Sequence, residues 1–278
     1  TKRLFRLGGD EFVVVAEQIE GHEALERLVH CLSRAIAMPC DVDGHVLHST
    51  ASIGVSRYPD DGRSAQALIR NADTAMYAAK AVGRNTHCLF AEPMNAAANK
   101  RLHLESELWR ALADNELILH YQPQIDLLSG KVVGVEALVR WRHPQRGLIA
   151  PAEFIPVAEE CGLILPLGHW VLRTACRQVK AWLDAGIDMG EMAVNISAHQ
   201  FRQPEFAQLV RAVLAETGVE PERLELEITE STIMHGVDSA IQTMAQLRAT
   251  GVRLAIDDFG TGYSSLSYLR RFPLDRLK

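Results

Sequence analysis

From about Leu117 onward, short runs rich in apolar and β-branched residues alternate with longer helix-like segments, a pattern that few folds accommodate. The runs are LILHYQPQI, VVGVEALVRW, MAVNIS, LELEIT, RLAIDDFG and LDRLK; helix-like segments begin at Pro151, Pro166, Pro204 and Val237, and SSLSYLRRF forms another. Strands separated by helices predict a parallel sheet or barrel. Proline at a helix start fits, because the first turn has no use for its missing N–H.

Several of these runs carry a polar residue where a strand core should be. VEALVRW, Val135 to Trp141, holds Glu136; MAVNIS holds Asn195; LELEIT holds Glu227; RLAIDDFG holds Asp257 and Asp258. A carboxylate buried in a strand costs far more than the strand recovers unless it meets a cation or several donors. In a (β/α)8-type barrel, residues near the C-terminal strand ends project into one mouth, which is where such barrels do chemistry. All five would then be neighbours, and all are hard oxygen donors, which favours Mg²⁺ or Mn²⁺ over zinc or copper. Several carboxylates in one mouth repel each other and any phosphate, and two divalent cations remove that objection while supplying the machinery of phosphodiester cleavage. Arg140, four residues from Glu136 and one alternation beyond Leu138, has the parity to hold a phosphate oxygen in the same mouth. Plain readings exist for each residue alone: Glu136 as a salt-bridged core acid, Asp258 as a helix N-cap, Asn195 as a turn amide, Arg140 as a solvated strand end. GTGYSS lacks the third glycine of a dinucleotide fingerprint and follows two acids that would oppose pyrophosphate. His143 and His169 lack ligand-like spacing and read as surface or packing residues.

Composition narrows the class. The chain has 278 residues, 47% of them apolar, with a formal net charge of −6. That supports a large core and gives no basic footprint for a nucleic acid polymer. No apolar run approaches the roughly 18 to 20 residues of a membrane span, and the N-terminus lacks a signal-peptide layout. Five scattered cysteines without a CxxC pair suit reduced thiols in the cytoplasm.

The first ninety residues are organised differently. RLFRLGGDEFVVVA reads as two strands around Gly8 and Gly9, a glycine turn of hairpin type. The acids Asp10 and Glu11 at its edge exceed what a hairpin needs. A helix over about Glu23 to Ala37, a hairpin at Asp43-Gly44, the strand STASIGVSRY and a helix over about Ala65 to Val82 follow. The last ends at Gly83 with Lys80 and Arg84 four apart. Basic residues there would also complement the helix dipole.

The order GGDEF, SIGVSRYPDDG, ADTAMYAAKAVGRN and a closing LF resembles the C-terminal half of a GGDEF, or diguanylate cyclase, domain over about residues 1 to 90. The resemblance implies an α/β sandwich whose hairpin, with Gly8 and Gly9, backs onto bound GTP. It assigns Asp10 to a metal ion, Glu11 to catalytic support, and Lys80 and Arg84 to phosphates. The family's first strand, with a further metal-binding Asp, would lie before Thr1. The Asp of the family's inhibitory RxxD motif would fall on position 2, which holds Lys2, and this speaks against product inhibition through it. Residues 91 to 106 read as a linker helix region, with LHLESELWRALAD as an apolar-periodic run.

YQPQID, EALVRW, NISAHQF, ELEITES, DDFGTGYSSLSYL and FPLDRLK occur in the order of the EAL family of cyclic di-GMP phosphodiesterases, over about residues 107 to 278. The resemblance implies an incomplete (β/α)8 barrel and places metal ligands at Glu136, Asn195, Glu227, Asp257 and Asp258. It puts the active-site lysine at Lys278 and substrate contacts at Gln122, Leu138 and Arg140. The loop from Phe259 to Leu266 would couple homodimerisation to the metal site. A catalytic glutamate and a pocket glutamine would lie beyond Lys278, so the fragment alone is expected to be inactive and to aggregate. The parent is expected to hydrolyse cyclic di-GMP to pGpG with two Mg²⁺ or Mn²⁺ ions, with missing upstream segments that leave room for a sensor and a membrane anchor. The alternatives are a non-catalytic cyclic di-GMP receptor, against which the intact ligand set argues, and net synthesis or GTP sensing by the first domain.

Overall fold

The structure, a computed structural model, describes residues 2–83, 85–234, 236–260 and 271–278. The chain divides into two compact units, Thr1–Arg101 and Leu102–Lys278.

In the first unit, β1 (Lys2–Gly8) and β2 (Glu11–Ala16) form the expected antiparallel hairpin. Gly9 takes φ +52 at the turn, in the left-handed region that glycine enters at no cost. The Arg6 guanidinium closes this turn by donating to Gly9 O at 2.8 and 3.1 Å. The amphipathic helix α1 spans His22–Ile36, and β3 (Cys40–Val42) pairs with β4 (His45–Leu47) around Asp43-Gly44. Of STASIGVSRY only β5 (Ile53–Val55) is strand; it is followed by α2 (Ala65–Ala81) and pairs in parallel with β6 (His87–Leu89). Ser64 caps α2 by accepting from Ala67 N, and Ala75 and Ala79 are buried. A side chain on Gly54 would run into the Ala72 carbonyl and the Met76 amide, so glycine is what lets α2 lie directly on β5. The helix stops at Ala81, with Val82 as C-cap, earlier than the Gly83 expected from the sequence.

Residues Pro93–Ala113 form one long helix, α3, which runs further than the expected linker. The second unit then builds a seven-stranded sheet from β7 (Leu117–Ile125), β8 (Val132–His143), β9 (Gly147–Ile149), β10 (Glu191–Ile196), β11 (Leu224–Thr229), β12 (Arg253–Asp257) and β13 (Arg276–Leu277). Their order is β13-β12-β11-β10-β8-β7, with β9 on β8. From β8 to β13 successive neighbours are parallel; β7 and β9 are antiparallel to β8, which departs from a uniformly parallel barrel. The connections carry α4 (Pro151–Glu160), α5 (Ile164–Asp184), a short α6 (Ala198–Phe201), α7 (Phe206–Thr217), α8 (Glu230–Met234) and α9 (Val237–Arg248). Pro166 is the third residue of α5 rather than its first, still within the turn that tolerates it. The expected helix SSLSYLRRF lies almost entirely outside the described residues.

Strand parity divides the sheet into two unlike faces. Val135, Ala137 and Trp141 on β8, Met192, Val194 and Ile196 on β10, Leu224, Leu226 and Ile228 on β11, and Leu254 and Ile256 on β12 are buried in one apolar cluster. That cluster includes Leu172, Val210 and Met244 from α5, α7 and α9. On this face Tyr121 stands edge-on to Trp182 at 4.9 Å, and burial pushes its hydroxyl up to about 12. Cys176, also in the cluster, has its thiol raised to about 12 for the same reason. The five cysteines are free thiols.

Candidate functional site

The opposite face of the sheet is polar, and the ladder registers place its residues. Gln122 on β7 stands opposite Glu136 on β8, and His120 opposite Leu138. Glu136 is level with Ala193, one alternation before Asn195; Asn195 is level with Glu227, Glu227 with Ala255, and Thr229 with Asp257. Arg276 is level with Ala255, so the next residue of that parity on its strand is Lys278. Gln122, Glu136, Leu138, Arg140, Asn195, Glu227, Asp257 and Lys278 therefore share one face. Ala193 and Ala255, buried yet outside the apolar cluster, lie on it as well.

The direct contacts are few and specific. Asn195 Nδ2 donates to Glu136 Oε1 at 2.7 Å, joining β10 to β8. Lys278 Nζ makes a close ion pair with Glu227 Oε1. Glu227 is buried, which would cost several kcal/mol without that ammonium. Lys278 is fixed by backbone as well, its N–H donating to Ile256 O at 2.8 Å while its carbonyl accepts from Phe259 N at 3.1 Å. Glu136 is only half-buried and Asn195 exposed, so the opening premise of a carboxylate in the strand core applies to Glu227 and not to Glu136. Asp257 ends β12; its Oδ1 accepts from the Asp258 N–H at 2.9 Å. Asp258, exposed with φ +56, has left the strand, so it does not stand in the same row as the other acids. Arg140 is half-buried, with Nη1 on the Val139 carbonyl at 2.8 Å. Gln122 is exposed.

The donor set is chemically suited to a hard cation: three carboxylates and an amide on four adjacent strands of one face, all oxygen. As placed, no three His, Cys, Asp or Glu side chains among the described residues converge as a metal cluster. Instead Asn195 satisfies Glu136 and Lys278 satisfies Glu227, and a cation entering here would take over those roles.

In the first unit, Asp10 and Glu11 are exposed beside the Gly8-Gly9 turn. Lys80 is exposed near the end of α2, its ammonium 5.1 Å from the centre of the Tyr77 ring. Arg84 lies outside the described residues. Most of the loop from Phe259 to Leu266 lies outside them too.

Sequence reasoning missed a second buried acid on the polar face. Glu225 lies two residues before Glu227, and the alternation LELEIT already gave both acids the same parity. It also missed Glu230, buried at the start of α8, whose Oε2 accepts from Gly260 N at 2.8 Å and so ties β11 to the loop after β12. His143, read as surface or packing, is buried: Nδ1 accepts from the amides of Gln145 and Arg146, and Nε2 is 3.4 Å from Glu107 on α3.

Comparison with known proteins gives this geometry a context. The EAL domain family model matches residues 105–278, and that of the diguanylate cyclase GGDEF domain matches residues 1–86. The bifunctional diguanylate cyclase/cyclic di-GMP phosphodiesterase MucR of Pseudomonas aeruginosa is 48% identical over 273 residues, 98% of this chain and 40% of its own. The cyclic di-GMP phosphodiesterase NbdA of the same organism is 45% identical over 277 residues, 98% of this chain and 35% of its own. This chain thus spans well under half the length of either relative. Among solved structures, the PaMucR phosphodiesterase in complex with c-di-GMP superposes with a TM-score of 0.61 at 49% identity, covering 63% of this chain and 71% of that one.

Proposed function

The chain belongs to the EAL domain family, with a diguanylate cyclase GGDEF domain ahead of it, and on that premise we propose that the full-length protein hydrolyses cyclic di-GMP to pGpG on the polar face of the second unit. The observation that carries this reading is the single row of Glu136, Asn195 and Glu227 on adjacent strands, continued by Asp257 and Lys278. A structural core would not concentrate acids and an ammonium at one parity while filling the other with aliphatic residues.

EAL domains are generally metal-dependent. Glu136, Asn195, Glu227, Asp257 and Asp258 would hold two divalent ions, Mg²⁺ or Mn²⁺. Such ions, when bound, lower the pKa of water for attack on phosphorus and stabilise the leaving oxygen. The chain's own residues do the rest. Gln122, Leu138 and Arg140 flank Glu136 on the same face and would receive the nucleotide, with the Arg140 fork on a phosphate oxygen. Lys278 carries a positive charge into a row of carboxylates, where it offsets the charge developing on the phosphate. Asn195, already bonded to Glu136, fixes the orientation of that carboxylate. A homodimer governed by the loop after Asp258 belongs to the same reading. So does a cytoplasmic location for the catalytic part, in keeping with its five free thiols.

The test is a nucleotide assay on the full-length protein. Cyclic di-GMP is expected to give pGpG in Mg²⁺ or Mn²⁺, and chelation is expected to stop it. Ca²⁺, larger and more loosely coordinated, is expected to occupy the site and inhibit. Turnover unaffected by chelator would refute the metal-dependent reading.

A second activity is favoured by Asp10 and Glu11, both exposed at a glycine turn held by Arg6. We propose that this hairpin, with Lys80 and Arg84, serves GTP, either for synthesis of cyclic di-GMP or as a regulatory ligand. Replacing Asp10 and Glu11 together by alanine is expected to abolish cyclase output or the GTP response of the phosphodiesterase. If neither changes, the hairpin is structural only.

A further inference from the structure

The polar face carries a second tier of charge beside the residues assigned to catalysis. Arg276 Nη1 donates to Glu225 Oε1 at 3.1 Å, and its Nη2 donates to Glu191 Oε2 at 3.2 Å. Arg253 Nη1 meets Glu191 Oε1 at 2.6 Å. Lys278 stands where the tiers meet: its ammonium lies against Glu227 and 3.5 Å from Glu225 Oε1. Glu225 is only 1% exposed, and its Oε2, 3.0 Å from Arg276 Nη1, makes no hydrogen bond there. Arg276 and Arg253 are partly exposed, but Glu225 is not; a buried carboxylate in an ion pair at best breaks even against apolar packing, and a buried acceptor without a hydrogen bond is a further cost. Stability alone does not account for it.

We propose that Glu225, anchored by Arg276, is a positioning residue for Lys278: it offers the ammonium a second seat and so frees the Glu227 carboxylate for a divalent cation. This rests on the phosphodiesterase reading, in which Glu227 holds a cation and Lys278 serves the reaction. An ammonium and a cation compete for one carboxylate, so the cost of admitting the cation depends on where the lysine goes. Expelled to solvent, Lys278 would lose its ion pair and its place near the phosphate. Moved toward Glu225, it keeps both, since Glu225 Oε1 is already 3.5 Å from the ammonium. The flexible stem and rotatable donors of lysine suit a short displacement, whereas the planar Arg276 fork, engaged with Glu225 and Glu191 together, suits a fixed anchor.

The experiment measures Mn²⁺ binding by calorimetry and turnover of cyclic di-GMP for the full-length protein, Glu225→Gln, Lys278→Met and the double variant. Glutamine keeps the shape of the acid and removes its charge. Glu225→Gln is expected to weaken Mn²⁺ binding about tenfold and lower kcat by a similar factor with KM within about twofold, since the lysine then stays on Glu227 (a tenfold change is ~1.4 kcal/mol). In the double variant the Mn²⁺ effect of Glu225→Gln is expected to vanish, because the competing ammonium is gone. Unchanged Mn²⁺ binding in Glu225→Gln, or the same loss with and without Lys278, overturns the proposal. Lys278→Met carries the test by itself if the glutamine variant folds poorly. Mn²⁺ binding several-fold tighter than in the wild type is expected, and unchanged or weaker binding overturns the proposal. Failure of the phosphodiesterase reading has a different signature, absence of pGpG from the wild-type protein, and the Mn²⁺ titrations decide the role of Glu225 independently of it.

Discussion

Glu136→Ala in the full-length protein is expected to reduce cyclic di-GMP hydrolysis at least about a thousandfold, equivalent to about 4 kcal/mol of transition-state stabilisation, while leaving the fold intact. Glu136 is half-buried on β8, at the opposite end of the donor row from Asp257, with Gln122 facing it across the β7–β8 ladder and Asn195 donating to it from β10. Alanine removes a carboxylate that pairs with no cation among the described residues, so little stability is lost with it. What it does remove is one of the oxygen donors assigned to the ions, and such ligands act as a unit in which one omission disables the rest. Asp257→Ala is expected to behave alike, because it occupies the other end of the same row. Circular dichroism and the thermal midpoint separate a chemical loss from an unfolded chain. Near wild-type turnover by either variant in Mg²⁺ would remove the basis for placing the ions on this face.

Gly190→Ala is expected to damage stability and the site together. Gly190 has φ +78 and sits directly before β10, and a methyl group there would land on the Val133 carbonyl of β8. The left-handed backbone costs an alanine on the order of 1 to 2 kcal/mol, and the clash is with main chain that cannot turn away. A total loss of roughly 3 kcal/mol or more would lower the midpoint by about 6 to 12 °C in a domain of this size. Gly186→Ala is the control: φ is +73, yet a methyl group there meets nothing within 4 Å, so only the backbone strain applies. Equal midpoints for the two variants would mean that the closeness of β10 to β8 is not what constrains Gly190. Because the same displacement separates Asn195 from Glu136, Gly190→Ala should also lose hydrolysis in excess of Gly186→Ala.

The alternation of runs and helices was enough to predict β7, β8 and β10 to β13, because β10 and β11 are short, apolar and followed by helices; the three-residue β9 carries no such signal and was not anticipated. The parity of Glu136 and Arg140, and of Glu225 and Glu227, could also be read directly, since a strand turns every second residue the same way. Pairing partners could not. That β7 and β9 run antiparallel to β8 depends on which edges meet, a property of the folded sheet. The depth of each acid was equally hidden: Glu136 looked buried from its apolar neighbours and is half-open, while Glu225 and Glu227 are the enclosed ones. Their burial is tolerated only because Arg276 and Lys278, some fifty residues later in the chain, arrive from β13 and the residue after it. Pro166 misled by a different route, since proline is tolerated anywhere in the first turn and so does not fix the first helical residue. In the first unit the glycine turn was a local signal and was legible. The retreat of STASIGVSRY to three strand residues, Ile53–Val55, was not, because pairing with His87–Leu89 sets its length.

The two-faced sheet also constrains how the gene can vary. Loss of a single codon within β8, β10, β11 or β12 would rotate every later residue of that strand to the opposite side, sending acids into the aliphatic layer and aliphatic residues into the row of donors. Loss of two codons would preserve the facing and shift only the height. Inherited length changes should therefore be found in the connections, such as the turn from Asp126 to Lys131, and those that do occur within these strands should come in pairs of residues.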